Sequence, residues 1–362
     1  MLLEIIDPTQ YPGWDELLLS THGSSFFHSS AWARVLAESY GYKPFYFSEP
    51  GDGRFRILIP VMEVDSLLTG KRGVSLPFTD YCEPLMDEDL SFHDLFNQIV
   101  EFGRKRGWKY IEMRGGEKYL NPSPSTPVPR PPSLATDPSS LVSFCTYLGH
   151  TLDLTVGEEK LFSGFRDSTR RNIKKAAAQG VKVSISNDLE GIREFYRLNR
   201  MTRKTHGLPP QPLSFFLKVY AYVIFKGLGF VALASHEGGN IAGAVFFHFG
   251  DRGVYKYGAS NRKYQELRAN NLVMWEGIRR IRQNGFKSLC FGRTEEDNQG
   301  LIQFKSGWGT KEQEIRYHRY DLEKGAFVSG SSKITGFHNE ILKRMPVSIL
   351  TPIGNLLYKH AG

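Results

Sequence analysis

Val254-Tyr255-Lys256-Tyr257-Gly258-Ala259-Ser260 opens the segment that decides the fold, which runs on to Gly309. Its aromatic and β-branched residues alternate with others, the pattern of a strand. A polar linker, Asn261 to Asn270, leads to Asn271-Leu272-Val273-Met274-Trp275-Glu276-Gly277-Ile278-Arg279-Arg280-Ile281, whose apolar residues recur at helical spacing. Either Asn270 or Asn271 can cap that helix, and Asn284-Gly285 ends it. Lys287 to Phe291 reads as a second, short strand. Gly292-Arg293-Thr294 follows, then an acidic loop and Gln303-Phe304-Lys305-Ser306-Gly307-Trp308-Gly309. Strand, helix and strand in this order make a βαβ unit, whose ligand site is expected beyond the carboxyl ends of its strands. Ser260, Arg293 and the loop carrying Lys305 are expected to gather there.

At 362 residues the chain is too long for one ordinary compact core, and two domains of α/β type are expected. A composition 40% hydrophobic and 23% charged is that of a globular protein. Cys82, Cys145 and Cys290 stand far apart, which excludes a disulfide framework and a Cys-rich zinc site and points to a reducing compartment. Met1 to Pro8 lacks the basic region and long apolar run of a signal peptide. Val219 to Ala234, the most apolar stretch, is broken by Lys226 and two glycines and is too short to span a bilayer. A soluble, cytoplasmic protein is therefore expected. Forty-six Lys and Arg against 38 Asp and Glu give a net charge of +8. That excess favours an anionic partner (a phosphate ligand, nucleic acid or anionic membrane surface) or reads as a solvated basic surface.

Outward from the βαβ segment, Phe230 to Ser235 and Ile241 to Phe249 form a hairpin around Glu237-Gly238-Gly239-Asn240. Earlier, Arg166, Arg170 and Lys174 fall on one helical stripe with Arg171 and Lys175 beside them. Like charges at this spacing repel mildly, so the stripe reads as an anion-binding face or as a solvated one. In the first half, Phe45 to Phe47 and Arg56 to Val64 read as two strands around a Gly-Asp-Gly turn, and Phe92 to Arg106 as an amphipathic helix before the strand Lys109 to Arg114. Hairpins and helix ends in the two halves match at offsets of about 185 and about 178 residues, which suggests a duplicated module. Only the second copy carries the polar residues a site needs. Asn121 to Pro138 is rich in Pro and Ser and reads as an exposed loop.

Tyr255-x-Tyr257-Gly258-Ala259-Ser260, Asn271-Leu272-x-x-Trp275-Glu276-x-Ile278, Phe291-Gly292 and Phe304-Lys305-x-Gly307-Trp308-Gly309, in that order, resemble the FemABX aminoacyltransferases. Leu152-Asp153-Leu154, Arg170-x-x-Ile173-Lys174-Lys175-Ala176 and Thr202-Arg203-x-x-His206-Gly207 fit the same pattern upstream, so the resemblance spans about residues 150 to 322. It implies an α/β protein of mixed sheets with two tandem GNAT-like acyltransferase domains, 1–150 and 151–325, and a helical tail, 326–362. Members of that family transfer an amino acid from aminoacyl-tRNA to the amine of a peptidoglycan precursor. The long coiled-coil hairpin that some members insert is missing here. Usual acetyl-CoA enzymes place a Gly-rich pyrophosphate loop between strand and helix. Here that position reads Lys263-Tyr264-Gln265-Glu266-Leu267-Arg268-Ala269-Asn270, so no cofactor is expected.

The expected chemistry is attack of an amine on an ester, with a positive group near the oxyanion. Lys305 is the candidate for that catalytic role, against the alternative of a surface lysine beside an aromatic anchor. Arg170, Arg171, Lys174 and Arg203 are candidates for the phosphates of a cell-wall or polysaccharide precursor. His206, Ser260, Asn271, Trp275, Glu276, Arg293 and Phe304 complete the candidate substrate site, together with Tyr255 and Tyr257, of which at most one is expected to face the pocket. The basic surface suits a tRNA backbone. Two alternatives remain: an N-acyltransferase using acyl-CoA or another donor on a polysaccharide sugar, and a non-catalytic scaffold. The apolar tail Met345 to Lys359 reads as a helix packed on the body or as a segment lying on a bilayer.

Overall fold

A computed structural model describes residues 2–120, 143–330 and 338–361. The proline-rich stretch read as a loop lies outside the described residues. The chain forms two compact units, Met1–Tyr147 with Glu314–Lys333, and Leu148–Gln313 with Ile334–Ala361. Residues 314–325, assigned above to the second domain, join the first because Tyr317 to Asp321 pair antiparallel with Arg114 to Tyr110.

In the first unit, β1 (Arg72–Val74), α1 (Phe92–Arg106) and β2 (Tyr110–Arg114) form a βαβ unit with parallel strands, Gly73 opposite Ile111 and Val74 opposite Glu112. Helix α1 buries Phe92, Leu95, Phe96, Ile99 and Val100, a stripe at three- and four-residue spacing, and stops at Gly107 in the left-handed region. The expected strand Arg56 to Val64 is two strands, Phe55–Ile59 and Met62–Val64, in different sheets, because Pro60 cannot donate to a ladder.

The second unit contains α2 (Asp167–Ala178), β3 (Lys182–Ser186), α3 (Leu189–Thr205), β4 (Gly229–His236), β5 (Gly239–Phe249), β6 (Arg252–Ser260), α4 (Ala269–Gln283), β7 (Ser288–Glu295) and α5 (Gln299–Ser306). Strands β3 to β6 pair antiparallel in sequence order. Strand β6 then pairs parallel with β7, Val254 opposite Cys290, across α4. This is the expected βαβ unit, and the matching one in the first unit is the expected repeat. Helix α4 buries Leu272, Val273, Met274, Trp275, Ile278 and Ile281 on the sheet. Gly277 is needed there, since a Cβ would collide with the Phe246 ring. Neither Asn270 nor Asn271 caps α4: the helix begins at Ala269, after Arg268 in the left-handed region at φ 57°. The tail helix α6 (Val347–Leu357) packs on this unit by Leu350 and Gly354.

Candidate functional site

Parallel pairing of β6 with β7 covers Arg252–Val254 and Ser288–Cys290, and both strands run on beyond it, to Ser260 and Glu295. On β6 the register slips between Val245 and Phe246, which face Tyr257 and Tyr255, so Lys256 is an extra residue in a β-bulge. Residues two apart share a face of a regular strand; the bulge separates these two. Tyr255 packs on Phe246 and Phe291, at centroid distances of 5.6 and 6.0 Å, and Tyr257 on Phe215 and Phe216, at 6.2 and 5.6 Å. Gly258 makes room for the Tyr255 hydroxyl, with which a Cβ would collide. Burial pushes the Tyr255 phenol up to about 12, so it stays neutral.

Lys305 sits on helix α5, in place of the expected loop, and is 3% exposed. Asn298 caps that helix by accepting from the Leu301 N–H. The Lys305 ammonium donates to the carbonyls of Gly292 and Arg293, each at 2.9 Å. Gly292, at φ 70°, turns β7 where those carbonyls are presented. This geometry replaces the surface-lysine alternative with a buried cation held by backbone dipoles. Arg293 and Lys305 are thus brought together.

Helix α2 packs on α4, and Arg166 at its start reaches α5. The Arg166 N–H donates to Gly307 O at 3.0 Å, and its guanidinium reaches Gln303 O at 3.4 Å and Ser306 Oγ at 3.2 Å. Thr169, Ile173 and Ala176 are the buried face of α2, while Arg171 and Lys174 are exposed and Arg170 pairs with Asp167. The basic stripe therefore begins against the helix that holds Lys305.

Other candidates are engaged elsewhere. Trp275 is 8% exposed and packs on Phe162 and Phe165, a core role. Glu276 pairs with Arg279, which also reaches Glu158 at 2.9 Å. Arg203 donates to the Tyr358 hydroxyl at 2.6 Å and so holds the tail in place of an acceptor phosphate. His206 follows the last turn of α3, exposed, and burial of part of its ring with Arg203, Lys343 and Arg262 lowers its pKa. Phe304 packs on Trp308 beside the core. Ser260 is locked by Thr202, whose hydroxyl bonds both its N–H (2.9 Å) and its carbonyl (3.1 Å), while its own hydroxyl accepts from Asn270. Asn271 lies half-buried in the first turn of α4.

Two features went unread in the sequence. His150 is fully buried, with Nε2 3.4 Å from Glu312 Oε2, and its strand lies beside β7, which holds Lys305. A lone histidine in an alternating strand has no local signature. The first unit also has a cavity of about 380 Å³ lined by Tyr81, Glu83, Gly115, Lys118 and Arg316, so polar residues are not confined to the second copy. Its charges are paired among themselves: Arg316 with Glu117 and with Glu314 at 2.6 Å, Lys118 with Glu83 at 3.6 Å.

Residues 163–306 match the acetyltransferase (GNAT) domain family. A lipid II:glycine glycyltransferase of Staphylococcus haemolyticus is 22% identical over 223 residues, 42% of this chain and 53% of that protein. One from Staphylococcus epidermidis is 32% identical over 80 residues, 20% and 19% of the two chains. This chain thus spans about half the length of the first of these curated relatives and less of the second. Among solved structures, FemX superposes with a TM-score of 0.64 at 14% identity, over 87% of this chain and 97% of that one. L-PGS from Bacillus licheniformis gives 0.53 at 12% identity, over 98% and 97%. The fold is that of tandem GNAT-like acyltransferase domains. Within that class the chain is similar to the FemABX aminoacyltransferases, as the sequence motifs implied.

Proposed function

We propose that this protein is an acyltransferase that moves an aminoacyl group from aminoacyl-tRNA to an amine of a cell-wall precursor. The observation that carries the reading is the Lys305 ammonium, buried beside the carboxyl end of the βαβ unit's second strand. Acyl transfer from an ester to an amine passes through an oxyanion, and a preorganised cation in a water-poor site stabilises that charge strongly. The two carbonyls fix the ammonium in place, so little reorganisation is needed as charge develops. The glycyltransferase relatives act on lipid II by name, which supports a cell-wall precursor as acceptor. The exposed Arg171 and Lys174, on the helix whose N-cap residue, Arg166, contacts α5, are suited to phosphates of the donor or acceptor.

The tail supports contact with the membrane surface that carries such a precursor. Helix α6 buries Leu350 but leaves Ile349, Leu356 and Leu357 50%, 60% and 41% exposed, with Lys359 beyond them and Lys343 and Arg344 before. Among the described residues no helix is long and apolar enough to cross a membrane.

Incubating the protein with charged tRNA or acetyl-CoA and a lipid-linked muropeptide, then following acyl transfer by mass spectrometry, tests the reading. Transfer from charged tRNA is expected; transfer only from acetyl-CoA would replace it with the CoA-dependent alternative. Pelleting with anionic vesicles is expected for the full chain and is lost when Ile349 and Leu356 become Ser.

A further inference from the structure

Among the described residues of the second unit, His150 is a buried histidine with a carboxylate beside its ring. Its ring is 0% exposed, and Nε2 lies 3.4 Å from Glu312 Oε2, a side chain 48% exposed to solvent. Neither ring nitrogen closes a hydrogen bond of good geometry. Its strand, Cys145–Asp153, lies between β7, whose Gly292 and Arg293 carbonyls hold the Lys305 ammonium, and the strand Lys311–Asp321. The charged groups facing the ring are therefore Lys305, from α5, and Glu312, from the strand Lys311–Asp321.

Two further buried polar groups near Lys305 in the chain lack hydrogen bonds. Thr294, 0% exposed, follows the Arg293 carbonyl that Lys305 grips, and its hydroxyl is unpartnered. Trp308, three residues after Lys305, leaves its indole N–H unpartnered. Unsatisfied buried polar groups are costly, about 1–3 kcal/mol each, and structural cores avoid them. With the His150 ring nitrogens, they leave polar groups without hydrogen bonds on the strand that holds this lysine, just past the helix that carries it, and on the strand beside them.

We propose that His150, with Glu312 on its solvent side, acts through Lys305 as a positioning residue for the transfer step. The proposal rests on the reading of Lys305 as the group that meets the oxyanion. A neutral imidazole lets Lys305 keep its proton and its seat on the two carbonyls. A proton on His150 sets a second cation against the ammonium inside the protein, where like charges repel far more than in water. Lys305 then gives up its proton or its seat, and the oxyanion loses its partner. Burial lowers the imidazole's proton affinity, Lys305 lowers it further, and Glu312 opposes both, so the neutral form prevails at physiological pH.

The test has two arms. In single-turnover transfer against pH, wild type is expected to lose rate on the acid side below the ordinary histidine range. His150→Gln is expected to lose that acid limb, and Glu312→Gln to move it to lower pH. In the second arm, the His150 ring is titrated by NMR in wild type and in Lys305→Met, where it is expected to titrate at higher pH. An acid limb unchanged in His150→Gln, or a His150 titration unchanged in Lys305→Met, overturns the proposal. Should His150→Gln fail to fold by circular dichroism, the Glu312→Gln profile and the Lys305→Met titration decide. If wild type transfers from no donor at any pH, the proposed activity fails, and the NMR arm alone decides whether His150 and Lys305 are coupled.

Discussion

The two βαβ units share a topology and treat buried charge in opposite ways. In the first, Glu112 on β2 is 7% exposed and lies between two guanidinium groups. Arg114 reaches it at 3.0 Å and Arg319 at 2.7 Å. Burial pushes the Glu112 carboxyl up, but the two arginines more than offset this and hold it below the usual range. Arg114 also donates to the carbonyls of Leu76 and Thr79 at 3.1 and 3.2 Å, fixing a loop in which Leu76 and Phe78 are left-handed. Charge there is consumed in holding backbone. In the second unit the buried cation, Lys305, is held by the carbonyl dipoles of Gly292 and Arg293, with His150 and Glu312 on neighbouring strands of the sheet. A cation so placed keeps a field that reacting groups can use. The same scaffold thus yields a braced loop in one copy and a candidate reaction centre in the other, since function resides in side chains grafted on a fold.

The contrast is broken most forcefully at Glu112. Glu112→Gln leaves the buried Arg114 and the half-buried Arg319 guanidinium groups facing a neutral amide, and unfolding free energy is expected to fall by about 3–5 kcal/mol in urea titration. The chemical step of the folded fraction is expected to stay unchanged. At the other copy the effect should move from stability to rate: Lys305→Met is expected to slow single-turnover transfer by about 10²–10³, with the protein still folding cooperatively. Wild-type rates in that variant would sink the assignment of Lys305.

A smaller effect sharpens the role of α2. Arg171→Ala and Lys174→Ala are each expected to lower the slope of log affinity for charged tRNA against log salt by about 0.7–0.9, read by filter binding at several salt concentrations. The mildest prediction concerns His248, whose imidazole burial pushes down to about 4. Its folded pKa lies below the unfolded value of about 6.5, so the unfolded state takes the proton first. The stability it supplies is complete above that value and is lost as pH falls toward about 4. His248→Gln should therefore flatten part of the acid arm of a melting-temperature profile over that window.

Local grammar was enough for much of the fold. Apolar spacing from Leu272 to Ile281, the Gly285 stop and the alternation around Tyr255 place a strand, a helix and a strand, because periodicities of 3.6 and 2.0 are properties of neighbouring residues. The repeat was readable for the same reason, and Lys305 was found through its place at the end of that unit. What lay beyond reach depends on partners distant in the chain. Trp275 and Glu276 look alike as site residues until Phe162, Phe165 and Arg279 are seen to claim them. Arg203 looks free for phosphate until Tyr358, 155 residues later, accepts its hydrogen bond. One inserted residue, Lys256, sends Tyr255 and Tyr257 to opposite faces, and a bulge is visible only in its pairing with β5.

Sequence alone therefore specifies the two βαβ units and the lysine, since both follow from short-range pattern. The setting of that lysine's charge is a matter of folding. Folding sets the strand of His150, 155 residues earlier, between β7 and the strand of Glu312, 7 residues later, and burial of the imidazole makes its charge count.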